Sequence, residues 1–242
     1  MSYQEFRPRS FQTLPVVIKN LLIINILMFA AKVVFAQSLG IDLDAILGLH
    51  YISASDFKPY QFVTYLFMHG DITHLFFNMF AVWMFGSVLE NTWGAKRFLF
   101  YYLITGLGAG LVQYIVFYFQ VQDVNDQIAD LMQTPGFSAE DNISLLHQKA
   151  DFLNQLVVIG ASGSLFGLLL AFGMMFPNTL LYVYFLVPVK AKWFVIAYGA
   201  IELISGLRSN PMDNVAHFAH LGGMLFGFFV ILIWKKNRNF YY

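Results

Sequence analysis

Apolar residues run along this chain in long stretches separated by short polar segments, and the stretches are long enough to span a bilayer. A hydrocarbon core of about 30 Å needs roughly 20 helical residues for one crossing. Six stretches qualify, at about 16–36, 62–89, 97–120, 157–176, 191–207 and 215–234. Lipid offers no partner for an open backbone, so such runs must be helices. The pattern predicts an all-α, polytopic six-transmembrane-helix protein with both termini on one side.

The connections are less uniform. Segment 37–61 places Asp42, Asp44 and Asp56 among apolar residues such as Ile46 and Leu47, as a chain lying in the interface would. In segment 121–155, Val124, Ile128 and Leu131 share a helical face, and Pro135 with Gly136 makes a break. Ser138 and Asp141 then have the spacing of a capping box. A helical hairpin on the outer surface is expected there, as an insertion within a single membrane domain covering 1–242. Segment 180–190, with Tyr182, Tyr184 and Val187 before Pro188, is expected to be an extended turn.

Composition agrees with this layout. Of 242 residues, 58% are hydrophobic and 12% charged, a balance that a water-soluble globule of this size cannot hide. The net charge of +0 gives nucleic acid no basic surface to bind. The absence of cysteine excludes a thiol nucleophile, disulfides and thiolate metal sites. Of the 14 Lys and Arg residues, all but Lys32, Lys58, Lys149 and Arg208 fall on one side of the alternating loops, which predicts cytoplasmic termini. Segment 1–15, with Glu5, Arg7 and Arg9 ahead of the first apolar run, reads as a retained cytoplasmic tail.

Polar side chains are costly in lipid, so polar clusters inside apolar runs point to function. The second run holds His74 and Asn78, the fourth Gly160-Ala161-Ser162-Gly163, and the sixth Ala219-His220-Leu221-Gly222-Gly223. These three runs enter from the same side, so the clusters are expected at similar depth, within about 10 Å of the outer surface. Gly163 and Gly167, like Gly223 and Gly227, are spaced four apart, which predicts close approach of the fourth and sixth helices.

The motifs G-x-S-G at 160–163, A-H-x-x-G at 219–223 and H-x-x-x-N at 74–78 occur in the order found in the rhomboid family of intramembrane serine proteases, which this chain resembles, in its bacterial six-helix type. The resemblance implies Ser162 as nucleophile and His220 as general base, without a carboxylate third member. It further implies His74 and Asn78 as oxyanion donors beside the Ser162 N–H, Phe166 stacked on the histidine, and Gly160, Gly163 and Gly223 as support. Where some members carry a tyrosine, Phe166 lacks the hydroxyl. No cofactor and no metal are implied.

Other polar residues read more plainly. Ser164 points to the far side of its helix and is expected to pack. His217 lies one turn before His220 on nearly the same face, and only the motif separates them. His69 is expected to make a structural hydrogen bond, and His50 and His147 to be surface residues. Glu202 either lines a wet cavity or caps a helix end. Glu90 and Trp93-Gly94 suit an interfacial anchor or turn.

The activity expected from the resemblance is endoproteolysis of transmembrane protein substrates in or near the membrane, by an integral multi-pass enzyme of a bacterial plasma membrane. Substrate is expected to arrive past the fifth helix, with 208–214 as a cap, and lipid is the other expected partner. The rivals are a catalytically silent client-binding relative and a small transporter, for which a polar path through the midplane would be the mark.

Overall fold

The computed structural model describes residues 11–136, 138–183, 186–208 and 215–236. Glu5, Arg7, Arg9, Tyr184, Arg238 and positions 209–214 of the expected cap lie outside the described residues. The elements run α1 (Val16–Leu39), α2 (Leu43–Leu47), β1 (Leu49–His50), α3 (Gln61–Thr64) with a 3-10 turn (Tyr65–Phe67), and α4 (Ile72–Trp93). They continue with α5 (Ala95–Met132), α6 (Ala139–Gln155), β2 (Val157–Val158), α7 (Ser162–Met175), β3 (Leu180–Val183), β4 (Val187–Lys190), α8 (Ala191–Arg208) and α9 (His217–Lys236). The protein is an all-α membrane protein in architecture, the strands among the described residues being two small antiparallel pairs, β1 with β2 and β3 with β4.

Among the described residues four helices, α1, α4, α5 and α9, are long and apolar enough to cross a membrane. The other two expected spans differ for physical reasons. α8 carries Lys192, Glu202 and Arg208 within its 18 residues. α7 has 14 residues, about 21 Å of helix, roughly 9 Å less than a hydrocarbon core. Its N-terminus, at Ser162, is preceded by β2 and a non-helical link, so the expected fourth span is part helix and part extended chain.

Two boundaries move. The second membrane helix starts at Ile72 rather than near 62, because 61–67 form the short α3 and 3-10 turn, and Asp71 caps α4 by accepting from the His74 N–H at 2.8 Å. The third does not stop near 120. No breaker interrupts it before Met132, and the 38 residues of α5 reach about 57 Å, so the first arm of the expected hairpin is a continuation of the same helix. The second arm is α6, which opens with the Ser138–Asp141 capping box. The expected turn at 180–190 is the β3–β4 hairpin.

α5 is the packing axis. Gly106 receives Ser164 and Leu66, Gly108 receives Phe226, and Gly110 receives Leu49 and Tyr65. A Cβ at Gly108 would lie 2.2 Å from Phe226 Cγ. Segment 40–71 folds against this axis as a built unit. Its hub is the buried Gln61 side chain, which donates to the Ile46 and Asp56 carbonyls and accepts from the N–H groups of His50 and Lys58. His50, expected on the surface, is buried, with Nε2 2.7 Å from the Ala45 carbonyl, because this segment is a packed layer and not an open loop. Lys32 pins the unit to α1. Its ammonium donates to the His69 and Gly70 carbonyls at 2.8 Å each and pairs with Asp44. Burial lifts the Asp44 carboxyl above its ordinary pKa, against the pull of Lys32.

The opposite ends of α1 and α4 are joined by Glu90. Pro15 gives α1 no side-chain cap, and the buried Glu90 carboxylate accepts instead from the N–H groups of Val17 and Ile18, at 3.0 and 2.9 Å. An anion at a helix N-terminus also meets the positive end of the helix dipole. Glu90→Ala is expected to destabilise the fold by about 2 kcal/mol, since two donors lose their acceptor. Thermal unfolding in detergent should show a lower midpoint, and an unchanged midpoint would remove Glu90 from this role.

Candidate active site

Three helix N-termini open onto one cavity. His74 lies in the first turn of α4, Ser162 begins α7, and His217 and His220 lie in the first turn of α9. With Asn78, Gly70 and Glu202 they line a space of about 1000 Å³. The positive ends of the helix dipoles face it together, a field that favours negative charge inside.

The segment that carries Ser162 is held from outside its own helix. β2 pairs with β1 in the register Leu49↔Val158 and His50↔Val157. The Gly160 N–H then donates to the Tyr65 carbonyl at 2.9 Å, and the Tyr65 hydroxyl to the Gly106 carbonyl at 2.5 Å. Gly160 turns the chain into α7 with φ +124°, which a side chain rarely tolerates. A Cβ there would lie 3.1 Å from His74 Cε1 and 3.5 Å from Ser162 Oγ.

Ser162 and His220 meet across α7 and α9, with Oγ 2.8 Å from Nε2. Phe166 lies flat on the imidazole, centroids 4.2 Å apart and planes 8° from parallel, and Tyr198 of α8 packs on Phe166. Ser164, two residues from Ser162, is fully buried on the other side and donates to the Tyr102 carbonyl at 2.8 Å. Gly223 permits the meeting. A Cβ on it would come within 1.9 Å of the Gly163 carbonyl oxygen. The other glycines of the pairs also open space for α5, since Gly163, Gly167 and Gly227 face its Ala109, Thr105 and Tyr101. Close approach of the fourth and sixth spans, expected from all four, occurs where Gly223 meets Gly163, while Gly167 and Gly227 make room for α5.

His74 and Asn78 stand across the cavity. The Gly70 N–H donates to His74 Nδ1 at 3.4 Å, which leaves the ring proton on Nε2, the side nearer Gly160. The Asn78 amide nitrogen is buried and has no hydrogen-bond partner among the described residues. A buried donor without an acceptor is costly in a folded chain. His69, expected to make a structural hydrogen bond, makes none with its ring nitrogens among the described residues; the ring packs edge-on against His74 and the backbone carbonyl takes Lys32. His147 is exposed on α6.

Sequence reasoning left Glu202 open between two roles. In the structure its carboxylate is buried, and one oxygen, Oε2, lies 2.7 Å from His217 Nδ1 and 2.8 Å from His220 Nδ1. A carboxylate stands where the resemblance implied none. Among the described residues, these three side chains are also a group whose ligand atoms, all within 4.8 Å, are close enough to hold a cation. The nitrogen–oxygen distances are those of hydrogen bonds, which already use the shared oxygen. The only early sign of this partnership was an acidic residue in an apolar run.

Gly223→Ala should drive α9 off α7 and break the Ser162–His220 contact, with a lower unfolding midpoint. Gly199→Ala, whose Cβ would meet the movable end of Met224 at 3.2 Å, should retain both. Equal tolerance of the two changes would contradict the packing described.

Comparison with known proteins identifies the family. The family profile described as "Rhomboid domain" matches residues 56–237. "RHOMBOID-like protein 6, mitochondrial" of Arabidopsis thaliana is 29% identical over 191 residues, covering 75% of this chain and 48% of the plant protein. "Rhomboid-like protein 11, chloroplastic" of the same plant is 29% identical over 199 residues, covering 74% of this chain and 53% of its own. The chain thus spans about half the length of these plant relatives. A Bacillus subtilis protein named "Putative rhomboid protease YdcA" is 23% identical over 208 residues, covering 85% of this chain and 82% of that protein. With three polar clusters gathered from three helix N-termini and a family profile covering most of its length, this chain belongs to the rhomboid family of integral membrane proteins.

Proposed function

We propose that the protein is an intramembrane serine endopeptidase that cleaves transmembrane protein substrates in or near their membrane segments, with Ser162 as nucleophile and His220 as general base. The observation that carries this reading is the 2.8 Å contact between Ser162 Oγ and His220 Nε2 on a cavity lined by donors. Serine is a weak nucleophile until a placed base takes its proton. His220 Nε2 accepts that proton as Oγ bonds to the scissile carbonyl carbon. The carbonyl oxygen becomes an anion, for which the Asn78 amide, His74 Nε2–H and the Ser162 N–H are the donors in reach of the cavity. Collapse breaks the C–N bond, and His220 returns its proton to the leaving amine. Water then hydrolyses the acyl-enzyme with His220 again as base.

The same reading takes the chain as the bacterial six-helix type, a single membrane domain with α7 and α8 as its remaining crossings. The Lys and Arg distribution supports cytoplasmic termini and an outward-facing site in a bacterial plasma membrane. The short α7 supports water reaching Ser162, since the residues before it are not hydrophobic helix.

Cleavage of a fluorescent transmembrane-segment substrate by detergent-purified protein tests the assignment. Ser162→Ala and His220→Ala should abolish turnover, and Asn78→Ala should lower kcat by roughly 10²-fold. Ser164→Ala should retain cleavage while losing about 1 kcal/mol of stability with its hydrogen bond. Full turnover by Ser162→Ala would overturn the mechanism, and no turnover by wild type on a varied panel would favour client binding.

A further inference from the structure

Glu202 comes from α8, a helix with few buried residues. Its buried residues are Ala191, Val195 and Glu202, and Ile196, Ile201, Leu203 and Leu207 are exposed along the same helix. A carboxylate in such a helix is costly unless its charge is met by donors. It is met here by two imidazoles through a single oxygen, at 2.7 and 2.8 Å.

That geometry fixes the protons. An ionised carboxylate only accepts, so the nitrogen facing it must donate. His220 Nδ1 therefore carries its proton toward Glu202, and the neutral ring presents the lone pair of Nε2 to Ser162 Oγ. This is the tautomer a general base needs. His217 donates to the same oxygen from one turn earlier on α9 and holds the carboxylate rotamer in line.

We propose that Glu202 is a positioning residue that turns the Ser162–His220 pair into a Ser–His–Glu triad, with His217 as its second support. The proposal rests on the reading of Ser162 and His220 as the reacting pair. When Ser162 adds to a carbonyl its proton moves to Nε2, the ring becomes imidazolium, and the Nδ1 proton stays on His220, donated to the carboxylate. Glu202 thus stabilises the cation without taking a proton. Because carboxylate and base sit on different helices, the base is oriented only while the outer half of α8 is seated on α9. Displacing α8 withdraws Glu202 and leaves His220 free to turn.

The test compares wild type, Glu202→Gln, Glu202→Asp, His217→Ala and the double variant His217→Ala/Glu202→Gln as full chains in detergent. It reads the fluorophosphonate labelling rate at Ser162, kcat and KM on a transmembrane substrate, and the unfolding midpoint. The proposal expects Glu202→Gln to lower labelling and kcat by roughly 10⁴-fold with KM unchanged, as loss of the carboxylate does in serine protease triads. Glu202→Asp should recover part of the rate, and Glu202→Gln should retain its effect when His217 is alanine. Labelling by Glu202→Gln within twofold of wild type overturns the proposal. So does a rate that falls only in proportion to the unfolding midpoint in both Glu202 variants, or an effect that vanishes in the His217→Ala background. Loss of wild-type labelling on EDTA treatment, restored by zinc, would make the three side chains a cation site instead. Failure of the underlying reading is separate, since wild type would then be labelled no faster than His220→Ala.

Discussion

The backbones of α7 and α9 touch where Gly223 faces the Gly163 carbonyl, at a spacing that a single Cβ, 1.9 Å from that oxygen, would not allow. The contact between Ser162 and His220 depends on this spacing, since both side chains are short and rise from different helices. α5 enforces the approach from behind. Ala109 and Thr105 fill against Gly163 and Gly167, and the Tyr101 hydroxyl crowds Gly227 while donating to the Gly167 carbonyl at 2.8 Å. Helices in lipid gain little from apolar burial against one another, so close packing of this kind must hold them.

A polar site in an apolar bundle also needs its donors and acceptors accounted for. The chain does this by ending helices rather than by lining them with charge. α4, α7 and α9 all begin at the cavity, and the loop before Ser162 is held by the β1–β2 pairing and the Gly160–Tyr65 hydrogen bond. Segment 40–71 is therefore part of the site's scaffold, although it contributes no reacting group. The Asn78 amide, buried without a partner among the described residues, is an unbalanced donor of the site, and an anion forming at the cavity would balance it.

Much of this was legible in the sequence because lipid imposes strict rules. Runs near 20 residues, the motifs around Ser162, His220 and His74, and the Ser138 capping box are local patterns, and local patterns survive folding. What escaped depended on distant partners. The burial of His50 follows from the Gln61 hub, which no periodicity encodes. The start of α4 at Ile72 was hidden by apolar residues in 62–68, which form a packed layer rather than a span. Gly106, Gly108 and Gly110 make α5 the centre of the bundle through neighbours that are distant in sequence. Glu202 was visible as an anomaly, but its bonds to His217 and His220 required α8 and α9 to be placed side by side.

The central claim is that Ser162 and His220 react as one unit facing donors from α4. The most direct test is a crystal structure of the protein treated with a peptidyl chloromethyl ketone. The account predicts two covalent bonds, from Ser162 Oγ to the carbonyl carbon and from His220 Nε2 to the methylene, with the oxygen about 2.7 to 3.1 Å from the Asn78 amide nitrogen. Alkylation of His217, attachment at Ser164, or an oxygen turned away from α4 would contradict it.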